Sequence, residues 1–358
     1  MRTILRPWIY SAFVDSVFVL APPFIILALL FLLPADFVNS AELSPAIWVL
    51  LILFVDVSHV YSTLYRTYFD GEAFKEHKVL LVNVPIAAFV LSVVVYSIGA
   101  LWFWRVLAYL AVFHFVRQQY GFLRLYAFKQ QGSRLRNLID EVAIYTVTLY
   151  PIIYWHLTGP ANFNWFVQGD FCYFESAFLL RLSLTLYLFM IVCYALSEWI
   201  WFNRTGSFNL PKNAVMLGTS LSWYFGVVYF KGDLAFTALN VVSHGVPYMA
   251  LVWIYGKKKS VKHPQSTNSF LRAIFSSHGV VLFMLVLLLF AYVEEGMWDG
   301  LVWHDHPNVF GGFYFLPKIT ADNLLAVVVP LLTLPQLTHY ILDGFIWKLK
   351  GDAQQWKK

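Results

Sequence analysis

Charge is scarce in this sequence. Only 13% of its 358 residues are Asp, Glu, Lys or Arg, whereas roughly a quarter of the residues are charged in a soluble domain. Hydrophobic residues make up 59% and aromatic residues 19%, and the mean hydropathy is +0.64. This composition excludes an ordinary soluble domain. It predicts an all-α integral membrane protein, because a helix satisfies its own backbone hydrogen bonds in hydrocarbon.

Sequence motifs of several enzyme classes are also missing. There is no phosphate-binding glycine loop, no paired-cysteine metal motif and no nucleophile elbow. The two cysteines, Cys172 and Cys193, fall in different predicted compartments, so no disulfide is expected. No repeat, low-complexity tract or soluble domain is visible. Residues 1–358 are therefore predicted to form one transmembrane domain.

Apolar segments long enough to cross a bilayer are abundant. A helix needs about 20 residues to span roughly 30 Å of hydrocarbon. Ten segments qualify, near 9–33, 46–66, 79–99, 102–127, 138–158, 177–202, 210–230, 234–255, 270–293 and 322–347. An even number of crossings places both termini on one side of the membrane.

Basic residues are distributed unevenly around these segments. With ten crossings, 20 Lys and Arg residues fall on the side of the termini, and 2, Lys231 and Lys318, fall on the other. The positive-inside rule then places both termini in the cytoplasm. Short loops favour a bacterial inner membrane for this multi-pass protein, and a protein of the endoplasmic reticulum would show the same pattern. Because the basic residues lie at membrane edges, the net charge of +5 indicates no nucleic-acid partner.

The stretch from Leu334 to Trp347, which closes the last segment, carries a histidine and an aspartate. His339 and Asp343 are four residues apart, so both side chains project from one face of a helix. An ionisable group in hydrocarbon costs a few kcal/mol or more, and is therefore usually paired, exposed to a cavity, or functional. This pair is the first indication of a site.

Other segments repeat this pattern of polar residues at helical spacing. Asp56 and His59 share a face of the second segment, and His114 is followed on its own face by Arg117 and Gln118. Five different segments each place one histidine between the midplane and the cytoplasmic face: His59, His114, His244, His278 and His339.

Imidazoles and carboxylates together are typical ligands of iron, zinc, copper and manganese, and a helix bundle assembles such a site from one or two ligands per helix. The predicted metal ligands are His59, His114, His244, His339 and Asp343, the last as a ligand or as the group that orients one. The predicted catalytic residues are Asp56, Arg117, Gln118 and His278. Asp56 would fix the His59 tautomer or ligate. Arg117 and Gln118 would hold a polar head group or a metal-bound carboxylate, and His278 would be a ligand or proton shuttle.

Packing could explain the same residues without chemistry. Polar side chains also join helices by hydrogen bonds, and Asp56 could form a buried ion pair with Arg117. The sequence gives the depth of each histidine but not the rotation of its helix. Convergence of the histidines is therefore a prediction that needs a structure.

Histidines and carboxylates gathered at one depth on several helices resemble the sites of polytopic non-haem iron oxygenases and desaturases. Within that class, the chain length and the run His244-Gly245-Val246-Pro247 are similar to those of the bacterial membrane-bound carotene dioxygenases that make retinal. The histidine-rich boxes of desaturases are absent, and the carotene enzymes carry a Pro-His-Gly order instead. The resemblance implies O₂-dependent oxidation of a lipid-soluble substrate, with iron held by histidines.

We therefore expect a membrane-embedded metalloenzyme, an oxidoreductase of lipid metabolism that uses non-haem iron on a lipidic or isoprenoid substrate. Its partners would be the lipid bilayer, a lipophilic substrate and an electron-donor protein. Three other functions stay open. Buried Asp, His and Arg residues also occur in proton-coupled transporters, facing histidines can be the axial ligands of a haem electron carrier, and an assembly factor would use them only for packing.

Overall fold

Helix dominates the computed structural model. The structure describes residues 3–5, 7–128, 130, 132–265 and 267–347, and it is 79% helical, which confirms the all-α prediction. The α-helices are α1 (Ala12–Val14), α2 (Pro22–Leu32), α3 (Ala35–Val38), α4 (Pro45–Trp48), α5 (Ser58–Ser62), α6 (Gly71–Glu76), α7 (Lys78–Ile98), α8 (Ala100–Ala127), α9 (Arg134–Thr158), α10 (Ala177–Thr205), α11 (Leu210–Trp223), α12 (Asp233–Lys262), α13 (Ser269–Ile274), α14 (Val280–Trp298), α15 (Pro307–Phe310), α16 (Asp322–Leu332) and α17 (Leu334–Ile346).

Shorter elements connect several of these helices. The chain forms π-helical turns at Asp15–Leu20, Val49–Val57, Tyr224–Tyr229 and Asp299–Trp303, and 3₁₀ turns at Thr63–Arg66 and Gly311–Phe313. Strands β1 (Thr3–Leu5) and β2 (Ser207–Asn209) pair in parallel, with Thr3 opposite Ser207.

Six helical stretches are long and apolar enough to cross a membrane: Pro45–Arg66, Lys78–Ile98, Ala100–Ala127, Ala177–Thr205, Asp233–Lys262 and Val280–Trp303. Two further pairs pass only as bent spans: Ala12–Leu20 with Pro22–Leu32, bent by 50°, and Asp322–Leu332 with Leu334–Ile346, bent by 42°. Pro22 is the first residue of α2, and Pro335 is the second residue of α17. Proline has no N–H to continue the preceding helix, which explains both breaks. The described residues thus contain six to eight candidate spans.

Two predicted spans fold as helices but are not among the six to eight candidate spans. The segment 138–158 lies in α9, whose first two turns carry Arg136, Asp140 and Glu141. The segment 210–230 lies in α11 and the π-helical turn after it, and it carries Lys212 and Asn213. The count of ten spans and the cytoplasmic position of both termini remain predictions. The last eleven residues lie outside the described part of the chain.

The predicted span 270–293 is displaced. Helix α13 ends at Ile274, and α14 begins only at Val280, so the candidate span covers Val280–Trp303. Gly279 explains the turn between them. A Cβ atom built there would lie 2.0 Å from the carbonyl oxygen of Ile274, so the chain approaches the end of α13 more closely than any other residue type allows. His278 therefore lies in an exposed turn, and its predicted position inside a helix is wrong.

Substitution of Gly279 by alanine should destabilise this turn. The new methyl group must displace backbone carbonyls, and overpacking of this kind typically costs about 1–3 kcal/mol. Gly71→Ala is the matched control, because a Cβ there meets nothing within 4 Å. Unfolding midpoints in detergent would measure both variants. Equal midpoints for Gly279→Ala and Gly71→Ala would contradict the expected steric conflict.

The chain divides into two compact units, and the single transmembrane domain stays a prediction. Unit 1 contains the described residues of Met1–Leu43 and Phe115–Pro247, and unit 2 contains Ser44–His114 and Tyr248–Trp347. The division falls within α8 and within α12.

A network of buried charges joins α9, α10 and α11 in unit 1. Lys212 is fully buried, and its Nζ lies 3.0 Å from each carboxylate oxygen of Asp140 and 2.7 Å from Oε1 of Glu198. Arg136 donates to the same Glu198 oxygen through Nε at 3.0 Å. Two cations thus balance two carboxylates, which is how buried charges are tolerated.

Aromatic and aliphatic side chains form the core of unit 2. Tyr65 stacks on Phe283 with ring centroids 4.7 Å apart, and both rings belong to a buried cluster with Tyr248, Val252 and Ile274. This cluster packs the end of the candidate span Pro45–Arg66 against α12, α13 and α14. The same span carries His59.

Candidate metal centre

All four predicted histidine ligands are buried. The exposed fractions are 1% for His59, 3% for His114, 0% for His244 and 2% for His339. His59, His114 and His339 belong to unit 2 and form what we call the histidine cluster. The nitrogens of a buried imidazole need hydrogen-bond partners or a metal ion. The groups around each ring therefore indicate which nitrogen can bind a metal.

The three rings of the histidine cluster converge. Nε2 of His114 lies 3.1 Å from Nε2 of His339, and their ring centroids are 4.6 Å apart at an interplanar angle of 66°. The His59 ring lies 5.1 Å from that of His339, at 79°. Each of the three residues offers a ring nitrogen within 4.8 Å of the others. For these residues, the predicted convergence is confirmed.

Local chain geometry brings the rings together. His59 lies in α5, directly after the π-helical turn Val49–Val57, and a π-helical turn shifts the face on which the following side chains project. His339 lies one turn beyond Pro335 on α17, which starts after the 42° bend and packs against α5 and α7. Neither irregularity is visible in the hydrophobic pattern of the sequence.

Nδ1 of each ring in the histidine cluster lies near a protein oxygen. Nδ1 of His114 lies 3.6 Å from a carboxylate oxygen of Asp343, and Nδ1 of His59 lies 3.6 Å from one of Asp56. Nδ1 of His339 lies 2.6 Å from the hydroxyl of Thr63. Oxygen partners behind a ligating imidazole commonly fix its tautomer and orientation.

A chain of hydrogen bonds assigns the tautomer of His339. The Tyr248 hydroxyl donates to a carboxylate oxygen of Asp343 at 2.7 Å. Tyr248 must then accept from the Thr63 hydroxyl, 3.1 Å away. Thr63 has no second hydrogen, so it accepts from Nδ1–H of His339. The proton of His339 is therefore on Nδ1, and its Nε2 carries a lone pair.

The same assignment applies to His114 for an electrostatic reason. A carboxylate beside Nδ1 stabilises an N–H there and disfavours a lone pair. Nε2 of His114 is then an acceptor, and it lies at hydrogen-bonding distance, 3.1 Å, from Nε2 of His339. One proton or one cation between the two nitrogens would satisfy both. The two imidazoles can therefore act together as ligands of one cation.

A transition metal fits this separation. Metal–nitrogen bonds are about 2.0–2.1 Å long, so two nitrogens 3.1 Å apart subtend an angle of about 95° at the metal. That angle is close to the value for neighbouring ligands in an octahedral site. Axial histidines on opposite faces of a haem would instead be about 4 Å apart.

The remaining predicted site residues make the following contacts. His244 belongs to unit 1, where its ring stacks on Phe115 with centroids 3.6 Å apart. Gln118 donates to the carbonyl of His244 at 2.8 Å. Arg117 is exposed and donates to the hydroxyl of Tyr145. His278 is exposed in the turn before α14, so it does not join the histidine cluster.

Sequence reasoning missed Thr63, Tyr248 and Trp347. Trp347 donates to the Tyr248 hydroxyl at 3.3 Å, which completes the set of groups around that oxygen. A signal was present, because each of the three follows a predicted ligand by four residues: His59 and Thr63, His244 and Tyr248, Asp343 and Trp347. One helical turn beyond a ligand is where a group on the same face lies.

Comparison with known proteins adds no family. No protein-family model, curated protein or solved structure matches the chain. The geometry of the histidine cluster is therefore the basis for assigning a function to this protein.

Proposed function

We propose that this protein is a membrane-embedded metalloenzyme in which the histidine cluster binds a transition metal, with non-haem iron as the expected ion. One observation carries the proposal: two buried imidazole Nε2 atoms lie 3.1 Å apart, with oxygens of Asp343 and Thr63 beside the Nδ1 atoms of the same rings. His244, the remaining predicted histidine ligand, lies one turn before Tyr248 on the same helix, α12, and its role as a ligand stays a prediction. Bound iron would supply O₂ chemistry or Lewis acidity.

The residues around the histidine cluster have separate proposed roles. Asp343 orients His114, Asp56 orients His59, and the ring of Tyr340, stacked on His114 with centroids 5.0 Å apart, limits access of water. The flanking candidate spans are apolar, so a substrate reaching this site would be lipid-soluble. We therefore propose a lipidic or isoprenoid substrate for an oxidative reaction, with electrons from a partner protein.

Elemental analysis of the purified protein tests the proposal directly. We expect about one transition-metal ion per chain, and an absorption spectrum without the intense bands of haem. Asp343→Asn keeps the size of the side chain but removes the charge behind His114. It should lower metal affinity ten- to a hundredfold, as loss of an orienting group typically does. A parent protein without metal, after extraction without chelator and after metal addition, would refute the proposal.

A proton-coupled transporter is the second candidate. Two bent helix pairs, Ala12–Leu20 with Pro22–Leu32 in unit 1 and Asp322–Leu332 with Leu334–Ile346 in unit 2, resemble the broken helices of transporters. The buried Asp15 beside the first bend, however, accepts hydrogen bonds from the backbone of Ile9, Tyr10 and Ser11, so it acts as a helix cap. Proton flux in liposomes from a protein that binds no metal would favour the transporter.

A further inference from the structure

We infer that Tyr248 is a positioning residue, which sets the tautomer of His339 and thereby keeps Nε2 of that ring ready for a metal ion. The inference deepens the proposed function and rests on it for its consequence in metal binding. Its first half, the tautomer, concerns the metal-free protein and can be tested separately.

The hydroxyl of Tyr248 is the branch point of the hydrogen-bond network. The residue is 1% exposed, and its oxygen lies 2.7 Å from Asp343, 3.1 Å from Thr63 and 3.3 Å from Nε1 of Trp347. It has three partners but only one hydrogen. The indole of Trp347 can only donate and the carboxylate of Asp343 can only accept. The hydrogen of Tyr248 therefore points to Asp343, and the hydrogen of Thr63 points to Tyr248.

The direction of this chain determines the tautomer of His339. Thr63 has given its hydrogen to Tyr248, so its oxygen can only accept from Nδ1 of His339, 2.6 Å away. Without the Tyr248 hydroxyl, Thr63 would turn its hydrogen towards Nδ1. The His339 proton would then move to Nε2, where it would donate to Nε2 of His114 at 3.1 Å. A metal would have to displace that proton.

Tyr248→Phe is therefore expected to lower metal affinity ten- to a hundredfold, the range typical for loss of an orienting group. The phenyl ring preserves the edge-to-face contact with the His339 ring, whose centroid lies 5.1 Å away. Thr63→Val should have a similar effect, and Thr63→Ser should restore binding because it keeps the hydroxyl. Tyr65→Phe is the matched control. Tyr65 is 2% exposed, and its hydroxyl donates to a backbone carbonyl, that of Phe283.

Two measurements on the full-length protein in detergent decide the matter. Zinc affinity is measured by chelator competition for the parent and the four variants. Tautomers are measured by ¹⁵N NMR of histidine-labelled, metal-free protein, with His339 assigned by its loss in His339→Gln. We expect Nδ1–H for His339 in the parent, Thr63→Ser and Tyr65→Phe, and Nε2–H in Tyr248→Phe.

The outcomes separate this inference from the proposed function. Parent-like zinc affinity and an Nδ1–H tautomer in Tyr248→Phe would overturn the inference, while metal binding by the parent would still support the proposed function. A parent that binds no zinc, combined with a tautomer change in Tyr248→Phe, would refute the proposed function and leave Tyr248 as the residue that sets the tautomer. Equal losses of zinc affinity in Tyr248→Phe and Tyr65→Phe would show that Tyr248 acts through packing and not through its hydrogen bonds.

Discussion

Substitution of His339 by alanine is expected to remove the bound metal. His339 provides one of the two nitrogens that face each other at 3.1 Å, and Thr63 holds its other nitrogen. Loss of a ligand should exceed the ten- to hundredfold effect of losing an orienting group. We therefore expect metal affinity to fall by more than about a hundredfold, while the apolar helices still insert.

The thermal stability of this variant should reveal the same loss. A ligand that binds only the folded state stabilises it by about 4 kcal/mol when present at a thousand times its dissociation constant. Added metal should therefore raise the melting temperature of the parent, but not of His339→Ala. His278→Ala is the matched control, because that histidine is exposed in the turn before α14. A metal-dependent rise of equal size in His339→Ala would exclude α17 from the site.

The helical class could be predicted from the sequence, but rotation about a helix axis could not. Charge scarcity and apolar length predicted the helical class, and the spacing of His339 and Asp343 predicted that both lie on one face. Whether that face meets His59 depends on the π-helical turn before His59 and on the bend before α17. Packing and Pro335 determine these two irregularities. A regular helical period in the sequence does not indicate them.

The prediction that placed His278 inside a helix was wrong for a different physical reason. Hydropathy averages over a window, so the apolar residues on both sides concealed the break at Ser276–Gly279. The close approach of Gly279 to the carbonyl of Ile274 requires a turn there.

The hydrogen-bonding groups Thr63 and Tyr248 were missed for a third reason. A hydroxyl at helical spacing is common, and only the distances show that these two connect His339 to Asp343.

The buried charges of unit 1 could not be paired from the sequence. Asp140 lies near the start of the predicted span 138–158, yet its side chain is 2% exposed and it contacts Lys212, which comes from α11. A sequence shows which charges occur near a helix end, but not which of them meet. These residues provide a test of folding that does not involve the histidine cluster.

Lys212→Met is expected to be the most destabilising single change in this network. Methionine fills a similar volume but leaves the carboxylates of Asp140 and Glu198 buried together with Arg136 as their remaining cation in the network. Removing one partner of a buried ion pair typically costs about 3–5 kcal/mol. Lys231→Met is the matched control, because Lys231 is an exposed residue of the same unit, and surface changes usually stay within about 0.5 kcal/mol.

Restoring charge balance should recover much of this loss. In the double variant Lys212→Met, Asp140→Asn, one cation and one carboxylate remain, and Arg136 still donates to Glu198 through Nε at 3.0 Å. Unfolding in detergent, followed by circular dichroism, would compare the variants with the parent. We expect the double variant to be more stable than Lys212→Met, because the cost arises from unpaired charge. A double variant no more stable than the single one would show that the Lys212 side chain acts through packing instead.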